Sequence, residues 1–340
     1  MISFRQFVYL FLISSLVLAA CNPASPAPTT APELPTETPT PEPTATITPL
    51  PWRVAFAAAP GSSAYLVQEA HRSLSALADT SGVVLDVRNE IQPADIAEDW
   101  RVIIFLGRPA NFDELTASAP QVQFVLIDST EIQPAANVSL ILLRPERQAF
   151  LAGYISTMIA SDYRAAALLP SDEPRGPILF ESFYNGGGFY CGRCPGVYMP
   201  VLLFPIIYSL PAASDFGAWQ TGIAELQQSF IYVMYVDPDI ASPDLLNYLA
   251  QLGLTLVGGA PPPNEVRGSW AATILQSPFD TLASHWDALL GGQGGFSETA
   301  AISVVDVNEA YLTPGKQRLV DIVIEKLAAD LVSPISPPYP

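Results

Sequence analysis

Basic residues are scarce in this sequence, and lysine is nearly absent. Of 340 residues, 15 are lysine or arginine and 33 are aspartate or glutamate, so the formal net charge is −18. The only lysines are Lys316 and Lys326. Without a basic stripe a protein cannot neutralise phosphates, so we expect no nucleic-acid partner and no electrostatic attraction to anionic lipid.

Histidine is equally rare, since the chain contains only His71 and His285, which lie far apart in sequence. Metal sites and nucleophilic triads need several such side chains at suitable positions. No such arrangement is visible. We therefore expect a protein that is not an enzyme and that uses no metal or cofactor.

An apolar run over residues 7–20 follows Arg5 and ends in Leu-Ala-Ala-Cys at Cys21. Its length is typical of a signal-peptide core and is short for a membrane span. The tetrapeptide resembles the bacterial lipobox, whose cysteine is lipidated before cleavage. We expect residues 1–20 to be a signal peptide and Cys21 to anchor the protein at the extracytoplasmic face of the cell membrane. The alternative is an ordinary secretory signal with an incidental cysteine.

The segment after Cys21 is rich in proline and threonine. Residues 22–51 contain ten prolines and eight threonines but almost no large apolar side chains. Such a segment cannot bury enough surface to offset the entropy of ordering it. We expect residues 21–51 to form an extended tether.

From residue 52 onward, short apolar runs alternate with segments of helical periodicity. Ten runs have the character of strands: 53–59, 83–87, 102–107, 123–128, 139–143, 165–169, 230–236, 254–258, 271–275 and 300–305. Apolar strands that are each followed by a helix predict parallel sheets covered on both faces. Ten strands are many for one open sheet. The sequence therefore predicts an α/β protein with two doubly wound, Rossmann-like lobes, a hinge, and a ligand cleft between the lobes.

We assign residues 52–162 to the first lobe, completed by part of 260–306, and residues 163–340 to the second lobe. The segment near 191–215 interrupts the alternation with prolines among large apolar residues. This composition favours an insertion that forms an edge strand or a surface loop.

The other two cysteines form a Cys-x-x-Cys pair, Cys191 and Cys194. If Cys21 is lipidated, each has only the other as a partner, and an oxidising exterior favours a disulfide. The pair follows a candidate helix, whereas catalytic pairs lie at a helix N-terminus. We expect a structural disulfide, with a reactive dithiol and a metal clip as the alternatives.

Three segments are similar to one known family: RPERQAFLAGYISTMIAS (144–161), APQVQFVLIDS (119–129) and VIIFLGRPANFDELT (102–116). They resemble basic membrane lipoproteins of the BMP type, the PnrA-like nucleoside-binding components of ABC importers. The resemblance implies a type I periplasmic-binding-protein fold, a monomer, a small-molecule ligand, and an ABC permease as partner.

That family holds a purine between two aromatic rings, one from each lobe. The resemblance places Tyr65 and Phe183 at the ring positions, Gly186 in the second ring's motif, and Asp128 at a strand end that reaches the ligand. Gly259 stands where the family has an aspartate that receives ribose hydroxyls. The resemblance thus implies a planar, nucleoside- or purine-like ligand. The alternatives are that Tyr65 and Phe183 are core aromatics and that the ligand is not a nucleoside.

Taken together, these features predict a lipid-anchored, extracytoplasmic solute-binding protein of an ABC importer. One alternative is a ligand-sensing lipoprotein without a transport role. Another is an extracellular thiol oxidoreductase that uses Cys191 and Cys194.

Overall fold

The computed structural model describes residues 51–336. The signal peptide, Cys21 and the tether up to residue 50 lie outside the described residues. Among those described, no helix is long and apolar enough to cross a membrane.

The first lobe begins with five strands and two helices. In chain order these are β1 (Arg53–Ala58), α1 (Ala64–Ser81), β2 (Val84–Arg88), β3 (Trp100–Leu106), α2 (Phe112–Ser118), β4 (Gln123–Ile127) and β5 (Val138–Leu142). The strands are parallel in the order β2-β1-β3-β4-β5. The central strands β3 and β4 are buried almost throughout, which agrees with a sheet covered on both faces.

The chain then builds most of the second lobe. Its elements are α3 (Pro145–Ile159), β6 (Ala165–Pro170), α4 (Arg175–Cys191), β7 (Ile206–Leu210), α5 (Phe216–Gln227), β8 (Val233–Val236), α6 (Pro243–Gln251), β9 (Thr255–Gly258) and β10 (Trp270–Gln276). Two elements, α7 (Pro278–Leu290) and β11 (Ser297–Thr299), return to the first lobe, and β12 (Ile302–Val305) and α8 (Pro314–Ala328) complete the second.

Each lobe is a six-stranded sheet between helices. The second sheet has the order β12-β10-β9-β8-β6-β7, with only β12 antiparallel to its neighbour. Side chains of α3, α4 and α8 form the core on one face, and those of α5 and α6 pack on the other. In the first lobe, α1 and α7 cover one face of the sheet and α2 covers the other.

The chain crosses between the lobes three times, at residues 143–144, 277 and 300–301. The lobe boundary therefore differs from the expected position at residue 162. Helix α3 belongs to the second lobe, because Phe150, Leu151 and Ile155 pack into the core of the second sheet. The strand expected over 300–305 is present as β12, which begins at residue 302, and the short strand β11 just before it joins the other sheet.

Gln276 connects the three crossovers. Its Oε1 accepts a hydrogen bond from the Arg144 backbone N–H at 2.8 Å, and its Nε2 donates to the Ala300 carbonyl at 3.0 Å. The side chain lies at the end of β10, next to the second crossover. One carboxamide thus joins all three segments of the hinge.

The segment near 191–215 forms a loop followed by β7, which is the edge strand of the second sheet. The sulfur atoms of Cys191 and Cys194 are bonded, with the two Cα atoms 5.3 Å apart. Cys194 and Phe204 are buried in the core beside α5, so the loop is packed against the lobe at both ends. The loop between them exposes Tyr198 and Met199.

Candidate functional site

A cavity of about 750 Å³ lies between the lobes. The loop after β1 and the start of α1 contribute residues 61–66, and Asp128 follows β4. The second lobe contributes loops that follow β6, β7, β8 and β9. The wall is therefore built at the carboxyl ends of strands from both sheets, where open α/β sheets place their ligands.

The N-terminus of α1 brings Ser63 to the second lobe. Ser63 is the N-cap of this helix, and its Oγ accepts a hydrogen bond from the Leu66 backbone N–H at 3.2 Å. The same hydroxyl donates a hydrogen bond to Asp239, which lies in the loop between β8 and α6. This bond connects the two lobes across the cleft.

Arg175 is held between two carboxylates of the second lobe. Its Nη1 donates to Asp239, and its Nη2 lies 3.6 Å from Asp237 Oδ2. Asp237 is only 2% exposed. Burial raises the pKa of Asp237 to about 6 despite the opposing charge of Arg175. Burial by itself would lower the pKa of Arg175. The negative charges of Asp237 and Asp239 outweigh this effect, so the pKa of Arg175 is raised.

Arg175 also has a donor that faces no acceptor. Its buried Nε has no hydrogen-bond partner within residues 51–336. Buried donors without partners are uncommon, because each one costs free energy.

Asp128 lines the cavity between the lobes, and its expected contact with a ligand stays a prediction. It follows β4 with a φ of 61°, a left-handed conformation that aspartate adopts more readily than most residues. The carboxylate faces the cavity, but the surrounding lobes shield it from most of the solvent, and this desolvation raises the pKa of Asp128. Arg175 opposes this rise, whereas Glu146 and Asp239 add to it.

Tyr65 also lines the cleft, on the first turn of α1. Burial, with a smaller contribution from Glu69, raises the pKa of Tyr65 to about 12. Its hydroxyl therefore stays protonated at neutral pH and can donate a hydrogen bond to a ligand.

Phe183 does not face the cleft, so the structure contradicts its expected role as the second ring. Its side chain is fully buried in the core of the second lobe, where it stacks on Tyr235 with ring centroids 5.7 Å apart. It does not line the cavity. The alternative interpretation of Phe183 as a core aromatic is the correct one. Phe183 and Tyr65 therefore do not face each other across the cleft as a pair of rings that could hold a purine.

Gly186 is likewise a packing residue and does not line the cavity between the lobes. A Cβ atom at this position would lie 1.9 Å from the carbonyl oxygen of Phe150 in α3. At Gly153 a Cβ would lie 2.0 Å from the Phe183 carbonyl oxygen. Glycines on both helices thus allow the backbones of α3 and α4 to touch.

Sequence reasoning missed Arg175, Asp237 and Asp239. Asp237 and Asp239 follow β8 directly, in the segment YVDPD, and Arg175 begins α4 after β6. Carboxylates that follow an apolar strand were a usable signal, because such positions meet at the ligand-binding edge of a sheet. The pairing with Arg175 carries no local signal.

The cysteine pair lies elsewhere. Neither Cys191 nor Cys194 lines the cavity between the lobes. Cys191 ends α4, and Cys194 is fully buried.

No protein-family model and no curated protein matches the sequence. Solved structures do resemble it. A solute-binding protein of an ABC transporter system from Aeropyrum pernix K1 is 15% identical with a TM-score of 0.63, over 85% of this chain and 94% of that chain. An ABC transporter solute-binding protein from Conexibacter woesei is 13% identical with a TM-score of 0.59, over 83% and 98%.

A transcriptional activator of the comK gene from Bacillus halodurans is also similar, at 11% identity and a TM-score of 0.62, over 81% of this chain and 96% of that chain. These likenesses establish the fold. The prediction of two doubly wound α/β lobes of the type I periplasmic-binding-protein class is confirmed.

Proposed function

We propose that this protein is an extracytoplasmic solute-binding protein of an ABC importer, whose two lobes close on a small molecule and present the closed form to a permease. The observation that carries the proposal is the hydrogen bond from Ser63 to Asp239, made across a cavity that both lobes line. A ligand that prefers the closed form would shift the equilibrium between open and closed lobes.

The groups around the cavity favour a ligand rich in hydrogen-bonding groups. Asp128 offers acceptors, while Arg175 and Tyr65 offer donors. Since Phe183 is buried, a planar base would find only Tyr65 of the two expected rings. Nucleosides stay among the compounds to test, because the segments 119–129 and 144–161 resemble the BMP-type lipoproteins.

A thiol oxidoreductase is less well supported. Its nucleophilic cysteine would have to be accessible and activated, usually at a helix N-terminus. Here the pair lies at the C-terminal end of α4, with Cys194 fully buried.

The ligand is sought by thermal-shift screening of nucleosides, bases, sugars and amino acids. A compound at 100 times its dissociation constant stabilises the native state by about 2.7 kcal/mol. We expect at least one compound to raise the melting temperature, and Asp128→Asn to reduce that rise. Asp321→Asn is the matched control, because Asp321 is exposed on α8 and does not line the cavity.

Closure has its own test in Ser63→Ala. We expect this substitution to shift the ligand-free protein toward the open form, because the hydroxyl makes the bond to Asp239. The measurement is the radius of gyration by X-ray scattering. Ser242→Ala is the control, since Ser242 caps α6 in the same way, accepting from Leu245 N–H at 3.3 Å. Loss of a cap costs about 1 kcal/mol in either variant.

A radius of gyration that is the same in Ser63→Ala and Ser242→Ala would show that the bond across the cleft does not hold the lobes together. A screen in which no compound raises the melting temperature would count against the binding function itself.

We further propose that Cys21 is lipidated and anchors the protein to the membrane, as the lipobox-like tetrapeptide suggests. In a bacterial host grown with an alkyne fatty acid, the full chain should become labelled. Cys21→Ala should remove the label, because no other residue of the lipobox can accept the lipid. The double variant Cys191→Ala/Cys194→Ala should keep it. Persistent labelling of Cys21→Ala would disprove the anchor.

A further inference from the structure

A second cavity of about 620 Å³ opens beside the central cleft. The two cavities share wall residues, among them Tyr65 and Asp239, so they lie side by side. Helix α1 of the first lobe forms one side of the second cavity, and the loops after β7, β8 and β9 form the other, together with the first turns of α5 and α6. We call it the side chamber.

The second-lobe wall of the side chamber is mainly apolar and rigid. It contains Phe216, the edge of Trp219, and five prolines: Pro238, Pro243, Pro261, Pro262 and Pro263. Proline fixes its own φ, so these loops lose little entropy when a ligand covers them. The ring of Phe216 packs edge-on against Tyr248 with centroids 5.8 Å apart, which fixes its orientation.

The charged groups on the walls already have partners. Glu69 and Arg72 on α1 form an ion pair at 2.9 Å. Asp239 is occupied by Ser63 and Arg175. The second-lobe wall of the side chamber therefore presents mostly apolar side chains, and the charged pair on α1 faces them, whereas the central cleft presents Asp128 and Arg175.

We propose that the side chamber is a subsite for a neutral apolar group, an aromatic ring or a short alkyl chain, on a solute whose polar end lies in the central cleft. The proposal rests on the proposed binding function and names the class of solute: a molecule with a hydrogen-bonding head and an apolar substituent. Phe216 is the residue that selects for the substituent. It lines the chamber and is 37% exposed overall, whereas Trp219 is 3% exposed and belongs mainly to the core.

The test uses pairs of compounds that share a polar head and differ only in an apolar group. The pairs are methyl and phenyl β-glycosides of glucose, galactose and ribose, and adenosine with N6-benzyladenosine. In at least one pair we expect the aryl member to bind about 10- to 100-fold more tightly, the gain expected for burying a ring. Binding is measured by calorimetry.

In Phe216→Ala the aryl advantage should fall to threefold or less, while the affinity for the smaller member stays unchanged. Phe180→Ala is the matched control and should behave as wild type, because Phe180 is an exposed aromatic on α4 outside both cavities. Thermal unfolding verifies that each variant is folded. If Phe216→Ala is not, Phe216→Asn replaces it.

The proposal is overturned if no aryl member binds, if both members of every pair bind equally, or if the advantage survives in Phe216→Ala. These outcomes are separable from a failure of the binding function. Tight binding of the smaller members without an aryl advantage would contradict only the side-chamber proposal. Absence of any ligand in both this series and the wider screen would contradict the side-chamber proposal and the proposed binding function together.

Discussion

Replacing Arg175 by methionine is expected to destabilise the protein by about 2 to 3 kcal/mol at neutral pH, less than the roughly 3 to 5 kcal/mol typical of a fully buried ion pair, because the Arg175 side chain is 32% exposed. Methionine keeps most of the apolar stem, so the loss is that of the charge. Asp237, at 2% exposure, would be left as an uncompensated buried carboxylate. Urea-induced unfolding measures the difference.

The penalty should depend on pH. In the folded wild type the pKa of Asp237 is about 6, raised chiefly by burial, whereas an unfolded aspartate titrates near pH 4. A raised pKa stabilises the fold below the unfolded value, and this contribution is lost as the pH rises through about 6. The cost of Arg175→Met should therefore be largest above pH 6 and should shrink toward pH 4, where Asp237 is protonated.

Arg267→Met is the matched control, since Arg267 pairs with Asp306 at 3.2 Å while 53% exposed. An exposed pair contributes at most about 1 kcal/mol. Adding Asp237→Asn to Arg175→Met should recover much of the loss. Equal penalties at pH 7.5 and pH 5, or a penalty no larger than that of Arg267→Met, would contradict the role given to Arg175.

Gly186→Ala is expected to cost about 3 kcal/mol or more, because the added methyl group meets a backbone atom. The new Cβ would lie 1.9 Å from the Phe150 carbonyl oxygen, so α3 and α4 would have to separate. The measurement is again the free energy of unfolding in urea.

Gly188→Ala provides the comparison within the same helix. A Cβ at Gly188 has nothing within 4 Å. Alanine is the better helix former by about 0.8 to 1 kcal/mol, so this variant should be slightly stabilised. If Gly186→Ala were as stable as Gly188→Ala, close packing of the two helices would not explain this glycine. Weaker ligand binding at unchanged stability would restore the role that the family resemblance implied.

The two-lobe fold was predictable from sequence because the patterns that mark its strands and helices are local in the chain. Apolar strands alternate with helices, and the paired apolar positions from Phe150 to Ile159 mark the helix that became α3. The lobe to which α3 belongs was not predictable, because its buried stripe would suit either sheet. Its packing on the second sheet and against α4 decides, and the contact with α4 depends on Gly153 and Gly186.

Phe183 shows how a motif can mislead. Phe183 and Gly186, which the resemblance placed in the family's second-ring motif, follow Leu179 and Ser182 on α4 with the spacing i, i+3, i+4 and i+7, and all four are buried. This spacing is the signature of a helix face packed on a core. The periodicity therefore placed Phe183 inside the lobe, whereas the motif placed it in the cleft.

The charged groups of the cleft show what local sequence patterns cannot predict. Arg175 and Asp237 are 62 positions apart in sequence, and each is unremarkable locally. They meet because β6 and β8 are neighbours in the sheet, which brings the loops at their carboxyl ends together. Sequence can mark Asp237 as a strand-end carboxylate, but its partner follows only from the strand order.

The bonds of Gln276 limit how the lobes can turn. Bending one crossover alone would break its hydrogen bond to Arg144 or Ala300 and leave part of the carboxamide unpaired. Rotations that move all three crossovers together keep both bonds and are cheaper. The lobes should thus swing about a single axis near this side chain, opening the whole width of the cleft at once. The Arg144 amide proton is hydrogen-bonded to Gln276. Its exchange with deuterium would therefore report motions of the lobes that break this bond.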